Sequence, residues 1–135
     1  MLLDGLTVFE NICLPQVIAG KPVGKMEEKA RKFCKAFGIE KIQEKYPAEI
    51  SGGEKQRTAV ARAMMNSPYI LLADEPTGNL DSKNSQEIMQ LLRYSNEKYN
   101  QTMLVITHDE NIALQADRIL SLEDGRIVKD EVIRR

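Results

Sequence analysis

Hydrophobic positions change their period along this chain. From Met26 to Phe37 they recur at three- and four-residue steps, with Met26, Ala30, Phe33, Cys34 and Phe37 in one stripe and lysine and glutamate between them. That pattern predicts an amphipathic helix over Lys25 to Phe37, stopped by Gly38, with its charged face in solvent. Later the period is lost. Tyr69–Ala73 and Thr102–Thr107 are short continuous apolar runs, each read as a fully buried strand. Asp117–Glu123 and Arg126–Val132 read as two further strands, joined at Asp124-Gly125, a strong hairpin signal.

The polar positions mark where elements begin. Thr7 with Glu10 forms a capping box, so a helix starts near Val8, with Val8, Ile12 and Cys13 inward and Pro15 a kink or weak point. Ala19 to Gly24 is a loop, and Ile39 to Tyr46 a further short helix ended by Pro47. Ser51 with Glu54 is a second capping box; it opens a helix from Gly52 to about Asn66, with Val60, Ala63 and Met64 recurring at helical spacing. Asp81 caps a long helix through about Tyr99, with Ile88, Leu91 and Leu92 inward, and Asp109 a short one through Gln115. Strand, helix, strand at this spacing implies a parallel pair with a right-handed crossover. The expected division falls near Ser67: a helical subdomain over 1–67, then an α/β portion over 68–135.

Composition narrows the class. The chain has 135 residues, one domain's length, and a net charge of −1. No basic excess is available to neutralise phosphates, which argues against nucleic acid as the main partner. Cys13 and Cys34 lack metal-type spacing, suit a reducing compartment and read as small core residues. No apolar run approaches membrane-spanning length, and Met1-Leu2-Leu3-Asp4 has no basic flank of a signal peptide.

The candidate chemistry lies between Ile50 and Asp81, with His108 beyond it. A helix start exposes unpaired N–H groups and a positive dipole end, and Gly52 and Gly53 let a backbone approach an anion closely. By itself, Ser51-Gly52-Gly53-Glu54 also reads as a plain capped helix. Asp74 and Glu75 follow the first strand, where open α/β sheets bind ligands. One carboxylate there can hold Mg²⁺ through water while the next orients or deprotonates a water. A solvated acidic turn before Pro76 is the alternative, and His108 alone reads as a polar surface residue at a strand end. Gly20 to Lys25 is not a phosphate-binding loop: only three residues separate Gly20 from Gly24, Met26 follows Gly24-Lys25, and Pro22 interrupts it.

Together these stretches resemble the ATP-binding-cassette (ABC) ATPases. Ile50-Ser51-Gly52-Gly53-Glu54 resembles their signature motif, with Ile50 for the usual Leu and Glu54 for the usual Gln. Ile70 to Glu75 resembles the Walker B strand with its catalytic glutamate, Gly78-Asn79-Leu80-Asp81 the D-loop, and Thr107-His108-Asp109 the switch-histidine region. Leu2 to Asn11 is similar to the segment after the Q-loop in cassettes of lipoprotein-release and macrolide or antimicrobial-peptide exporters. The Walker A loop, the adenine-stacking aromatic and the Q-loop have no counterpart here. The expectation is the C-terminal part of a P-loop NTPase-like cassette: the helical subdomain plus the C-terminal half of the parallel-sheet core, with an open edge and an unfilled core face.

For a complete cassette the resemblance implies hydrolysis of ATP with Mg²⁺ in a head-to-tail dimer of ATPase subunits. Ser51 and Gly53 would reach the γ-phosphate on the opposite subunit, with Gly52 and Glu54 in the same motif. Asp74 would help hold Mg²⁺, through water. Glu75 would polarise the attacking water, His108 would contact the γ-phosphate, and Asp81 would link the two sites. A transmembrane permease would be the other partner, placing the protein on the inner face of the cell membrane. This chain alone is expected to hydrolyse no ATP. The competing expectation is a non-catalytic module that docks a permease or a full-length cassette. A chromosome-maintenance head would need heptad runs before the signature, and none occurs between Met1 and Glu49. An ABC translation factor would call for a second cassette and basic charge.

Overall fold

Thr7 opens the first helix, α1 (Val8–Ile18), through a reciprocal cap in which its hydroxyl accepts from the Glu10 N–H and the Glu10 carboxylate accepts from the Thr7 N–H. This computed structural model describes residues 1–133. Two further N–H groups at that helix start are satisfied from across the fold: Val8 donates to the Lys45 carbonyl at 2.8 Å and Phe9 to that of Gln43 at 2.9 Å. Pro15 lies inside α1 without ending it, since the helix runs on to Ile18. Asn11, fully buried, ties the preceding segment to the helix: its amide accepts from the Leu3 N–H and donates to the carbonyls of Leu3, Leu6 and Thr7.

Helix α2 (Val23–Ala36) buries Met26, Ala30, Phe33 and Cys34, with Phe37 just beyond. Gly38 follows at φ +70, where a side chain would be strained. The short helix expected over Ile39–Tyr46 is only a 3₁₀ turn, Glu40–Ile42, followed by a second at Pro47–Glu49. Ile39 and Ile42 both enter the core, three residues apart, and a 3₁₀ turn aligns that spacing. The carbonyls of Gln43 and Lys45 serve the start of α1 and are not available to extend a helix.

Helix α3 (Gly52–Met64) packs against α1, α2 and α4 (Ser82–Tyr99). Val60 and Met64 are buried as expected, but Ala63 is exposed and Ala61 takes the inward position. The helix stops short of Asn66 because Ser67 turns left-handed (φ 48) ahead of Pro68.

Strands β1 (Ile70–Asp74) and β2 (Thr102–Ile106) pair in parallel, from Ile70 opposite Thr102 to Asp74 opposite Ile106. They are not fully buried, contrary to the expectation from their apolar runs. Leu71 enters the core and Met103 and Val105 pack against it, while Ile70 (58%), Leu72 (70%), Leu104 (51%) and Ile106 (54%) remain exposed. A strand presents alternate residues to opposite faces, and only one face of this pair is covered. A short helix, α5 (Glu110–Ala113), is capped by Asp109. Strands β3 (Arg118–Glu123) and β4 (Arg126–Val132) then form an antiparallel hairpin. Asp124 (φ 50) and Gly125 (φ 75) give it a turn with two left-handed residues, and Arg118 grips Asp130 through two nitrogens at 2.9 and 2.6 Å.

Candidate functional site

The first part of the site is the tip of α3. Ser51 is its N-cap: the hydroxyl accepts from the Glu54 N–H at 3.2 Å, and the Glu54 carboxylate accepts from the Ser51 N–H at 2.9 Å. The Glu54 carbonyl in turn accepts from the Thr58 hydroxyl at 2.8 Å. The N–H groups of Gly52 and Gly53, at the first helical positions, have no intrahelical acceptor. Ser51 and Gly52 are exposed, whereas Gly53 is buried against α4. A Cβ on Gly53 would stand 2.6 Å from the Asn84 side-chain oxygen, and one on Gly52 3.4 Å from Leu80. The glycines therefore let the helix tip sit closely on the segment that leads into α4. Asp81 caps α4, its carboxylate accepting from the Asn84 N–H at 2.8 Å.

The second part lies where β1 and β2 end together. Asp74, exposed, closes β1 opposite Ile106. Glu75 leaves the strand with a left-handed backbone (φ 47), and its N–H donates to the Ile106 carbonyl at 2.8 Å. That conformation is uncommon outside glycine. It accompanies a carboxylate whose single oxygen accepts from the His108 N–H at 3.2 Å and lies 2.7 Å from the His108 ring Nδ1. The hydrogen bond and the negative charge of Glu75 raise the His108 pKa above its ordinary value. The His108 ring is 90% exposed, so its other nitrogen is open to solvent.

Glu75 and His108, distant in sequence, are thus joined, with Asp74 adjacent in the chain. Ser51, Gly52, Gly53, Leu80, Asp81 and Asn84 form a neighbouring cluster. Among the described residues no hydrogen bond or ion pair joins Ser51, Gly52 or Glu54 to Asp74, Glu75 or His108. One covalent segment, 75–81, and one hydrogen bond, from the Gln56 amide to the Pro76 carbonyl at 2.7 Å, connect the two clusters. Sequence reasoning missed Gln56, Asn84 and the Arg57–Glu87 ion pair that ties α3 to α4. Asn84 is recoverable as the third residue after the Asp81 cap. Gln56 and Arg57 carried no local signal, because their partners are twenty or more residues away.

Comparison with known proteins identifies the family. Residues 1–78 match the family model described as ABC transporter. The bacitracin export ATP-binding protein BceA of Halalkalibacterium halodurans is 45% identical over 126 residues, 93% of this chain and 50% of that protein. The lipoprotein-releasing system ATP-binding protein LolD of Treponema pallidum is 42% identical over 128 residues, 95% of this chain and 57% of that protein. The macrolide export ATP-binding/permease protein MacB of Mannheimia succiniciproducens is 41% identical over 129 residues, 96% of this chain and 20% of that protein. The chain spans from about a fifth to little more than half the length of these relatives. Among solved structures, a dimeric ATP-binding cassette in a post-hydrolysis state, bound to ADP and Pi, matches with a TM-score of 0.84 at 38% identity, covering 99% of this chain and 60% of that one. The mixed α/β fold is that of an ABC ATPase cassette over that shared part, and the chain belongs to the ABC transporter family.

Proposed function

We propose that this chain is part of the ATP-hydrolysing subunit of an ABC exporter and carries the signature tip of one nucleotide site and the water-activating carboxylate of another. The observation that carries the reading is the Glu75–His108 contact at the shared end of β1 and β2. In this reading residues 1–67 are the helical signature subdomain and 68–135 the C-terminal half of the ATPase core. The partners are a second ATPase subunit, head to tail, and a transmembrane permease that holds the protein at the inner face of the membrane. Among the described residues, no helix is long and apolar enough to cross a membrane.

The residues fit ATP and Mg²⁺ in kind. The tip of α3 offers N–H groups and a positive dipole end to a phosphate, and the exposed Ser51 adds a hydroxyl that can donate while accepting from Glu54. Among the described residues no group of three or more His, Cys, Asp or Glu side chains could hold a metal on its own. Mg²⁺ takes one or two carboxylates, with phosphate oxygens and water completing the shell. Asp74 is the carboxylate proposed for that role. The ion would neutralise charge developing on the transferred phosphoryl group.

Glu75 accepts the proton of, or orients, the attacking water through the carboxylate oxygen not engaged by His108. His108 fixes the Glu75 carboxylate, and its other ring nitrogen, open to solvent, would be the one to contact the γ-phosphate. Ser51 and Gly53 aim preorganised donors at a phosphate bound on the opposite subunit, and losing one such donor costs about 3 kcal/mol of transition-state stabilisation. Gly52 and Glu54 shape that tip. Asp81 holds the start of α4 beside it and links the two sites of the dimer.

The chain contains no Gly-x₄-Gly-Lys-Ser/Thr phosphate cradle. The purified chain alone is therefore expected to show no ATP turnover. Robust turnover that disappears in Glu75→Gln would overturn this assignment of labour between subunits. A second reading is a non-catalytic module that docks a permease or a full-length cassette. Titrating the chain into a complete cassette separates the two. An ATP-dependent complex that is weakened by Ser51→Ala in this chain supports the catalytic reading; binding that ignores ATP and Ser51 supports the docking one.

A further inference from the structure

Gln56 sits one turn beyond the tip of α3, and its side-chain amide donates to the Pro76 carbonyl at 2.7 Å. Pro76 is buried and follows Glu75 directly. This bond therefore reaches from the helix that carries the anion-facing tip to the residue beside the water-activating carboxylate. Two other contacts run parallel to it. Gly53 is seated on Asn84 so closely that a Cβ has no room without moving that side chain. Arg57 pairs with Glu87, but both side chains are partly open to water, so the pair is screened. The turn after Pro76 is tight, with the Gly78 N–H donating to the Glu75 carbonyl at 3.0 Å.

We propose that Gln56 is a positioning residue that latches the Ser51–Glu54 helix tip to the Glu75–Leu80 turn within one subunit, so that the phosphate-facing and water-facing parts of the chain move as one body. The proposal rests on the function assigned above for its purpose, though not for its geometry. A glutamine suits the task because it supplies a neutral donor at the required reach. Loss of that donor leaves the Pro76 carbonyl without its partner and frees the turn from the helix.

Amide exchange on this chain tests the latch. The reporting amides are Glu54 and Lys55 on the helix, and Glu75, Gly78 and Leu80 on the turn, all hydrogen-bonded in the structure. Gln56→Glu and Gln56→Ala are expected to speed exchange in both groups together, roughly tenfold, while α2 amides stay unchanged and report an intact fold. Gln56→Lys, which keeps a donor of similar reach, is expected to restore slow exchange in both. Unchanged exchange at 75–80 in Gln56→Glu, or failure of Gln56→Lys to restore it, overturns the latch.

A second measurement separates this proposal from the function it serves. Binding of the chain to a complete ABC exporter cassette loaded with ATP is expected to weaken several-fold in Gln56→Glu and recover in Gln56→Lys. Equal binding by all three chains overturns the positioning role. If the unmodified chain does not bind the ATP-loaded cassette at all, the proposed function falls, and the exchange result decides the latch by itself.

Discussion

The two ends of this chain are built to different standards of burial. Of the buried hydrophobic core, only Leu71, Ile88, Met89, Leu92 and Ile112 come from beyond Ser67; the rest belong to α1, α2, α3 and the turns between them. The β3–β4 hairpin contributes nothing to it, and β1–β2 is covered on one face. Yet Asp74, Glu75 and His108, proposed above as the acid–base side of the site, stand on the thinly covered sheet. The densely packed region supplies only the helix tip. The comparison teaches that the packed core and the proposed chemistry are separately housed here, and that α3 and α4 are where the two meet.

The sharpest way to break the comparison is to remove matched side chains from each region. Ile12 is fully buried between helices, whereas Leu72 and Ile127 are exposed. Ile12→Ala is expected to cost about 2–5 kcal/mol in denaturant unfolding, the transfer loss plus an unfilled cavity. Leu72→Ala and Ile127→Ala are expected to change stability by no more than about 0.5 kcal/mol. Equal losses would mean that the open sheet face is covered in solution.

The cysteines sharpen the same contrast. Cys13 and Cys34 are both buried in the helical region, and burial pushes each thiol up to about 11. Below that pH they remain thiols, the unreactive form. Alkylation of the native chain is expected to be slow and to follow the unfolding of α1–α2, as measured by mass spectrometry across a denaturant series. Fast alkylation under native conditions would show that this region opens independently of the rest.

Smaller effects are expected at the tip of α3. Ser51→Ala removes the cap and is expected to cost about 1 kcal/mol. Gly53→Ala is expected to be nearly neutral for the fold. Alanine is the better helix former by about 1 kcal/mol, which offsets displacement of the Asn84 side chain. Its effect should appear in binding to an ATP-loaded cassette, because the added methyl group pushes on Asn84 and shifts the helix tip from its seat on α4. A Gly53→Ala chain that unfolds as readily as Ile12→Ala would mean Asn84 cannot move aside.

Much of this was legible in sequence, for identifiable reasons. Thr7–Glu10 and Ser51–Glu54 are caps written within four residues, and the stripe on α2 is local, as is the Asp124-Gly125 turn. The convergence of Glu75 with His108 followed from two parallel strands that end together. What failed was whatever depended on distant partners. The apolar run of β1 said buried, but a run cannot tell how many faces have neighbours. Ala63 and Ala61 are chemically alike, and only the position of α1 and α4 decides which points inward. The helix expected over Ile39–Tyr46 gave way to a turn because the carbonyls of Gln43 and Lys45 serve α1, and Gln56 declares nothing until Pro76 is placed beside it.

The least expensive change, in stability terms, falls on the exposed side of the site. His108 is the only histidine in the chain, and its pKa is raised, first by its hydrogen bond to the Glu75 carboxylate and then by that group's charge. The sign follows from linkage: a raised folded-state value means the contact stabilises most below the unfolded pKa near 6.5, and that contribution is lost as pH climbs through the folded value. With the ring this exposed, the effect on unfolding should be slight, so titration of the His108 ring by NMR is the better measurement. Glu75→Gln is expected to move its midpoint down toward the ordinary histidine value, because an amide can accept a hydrogen bond but brings no charge. Should the midpoint stay where it was, Glu75 does not hold His108 in solution, and the sheet edge loses the one contact that distinguishes it from a solvated acidic turn.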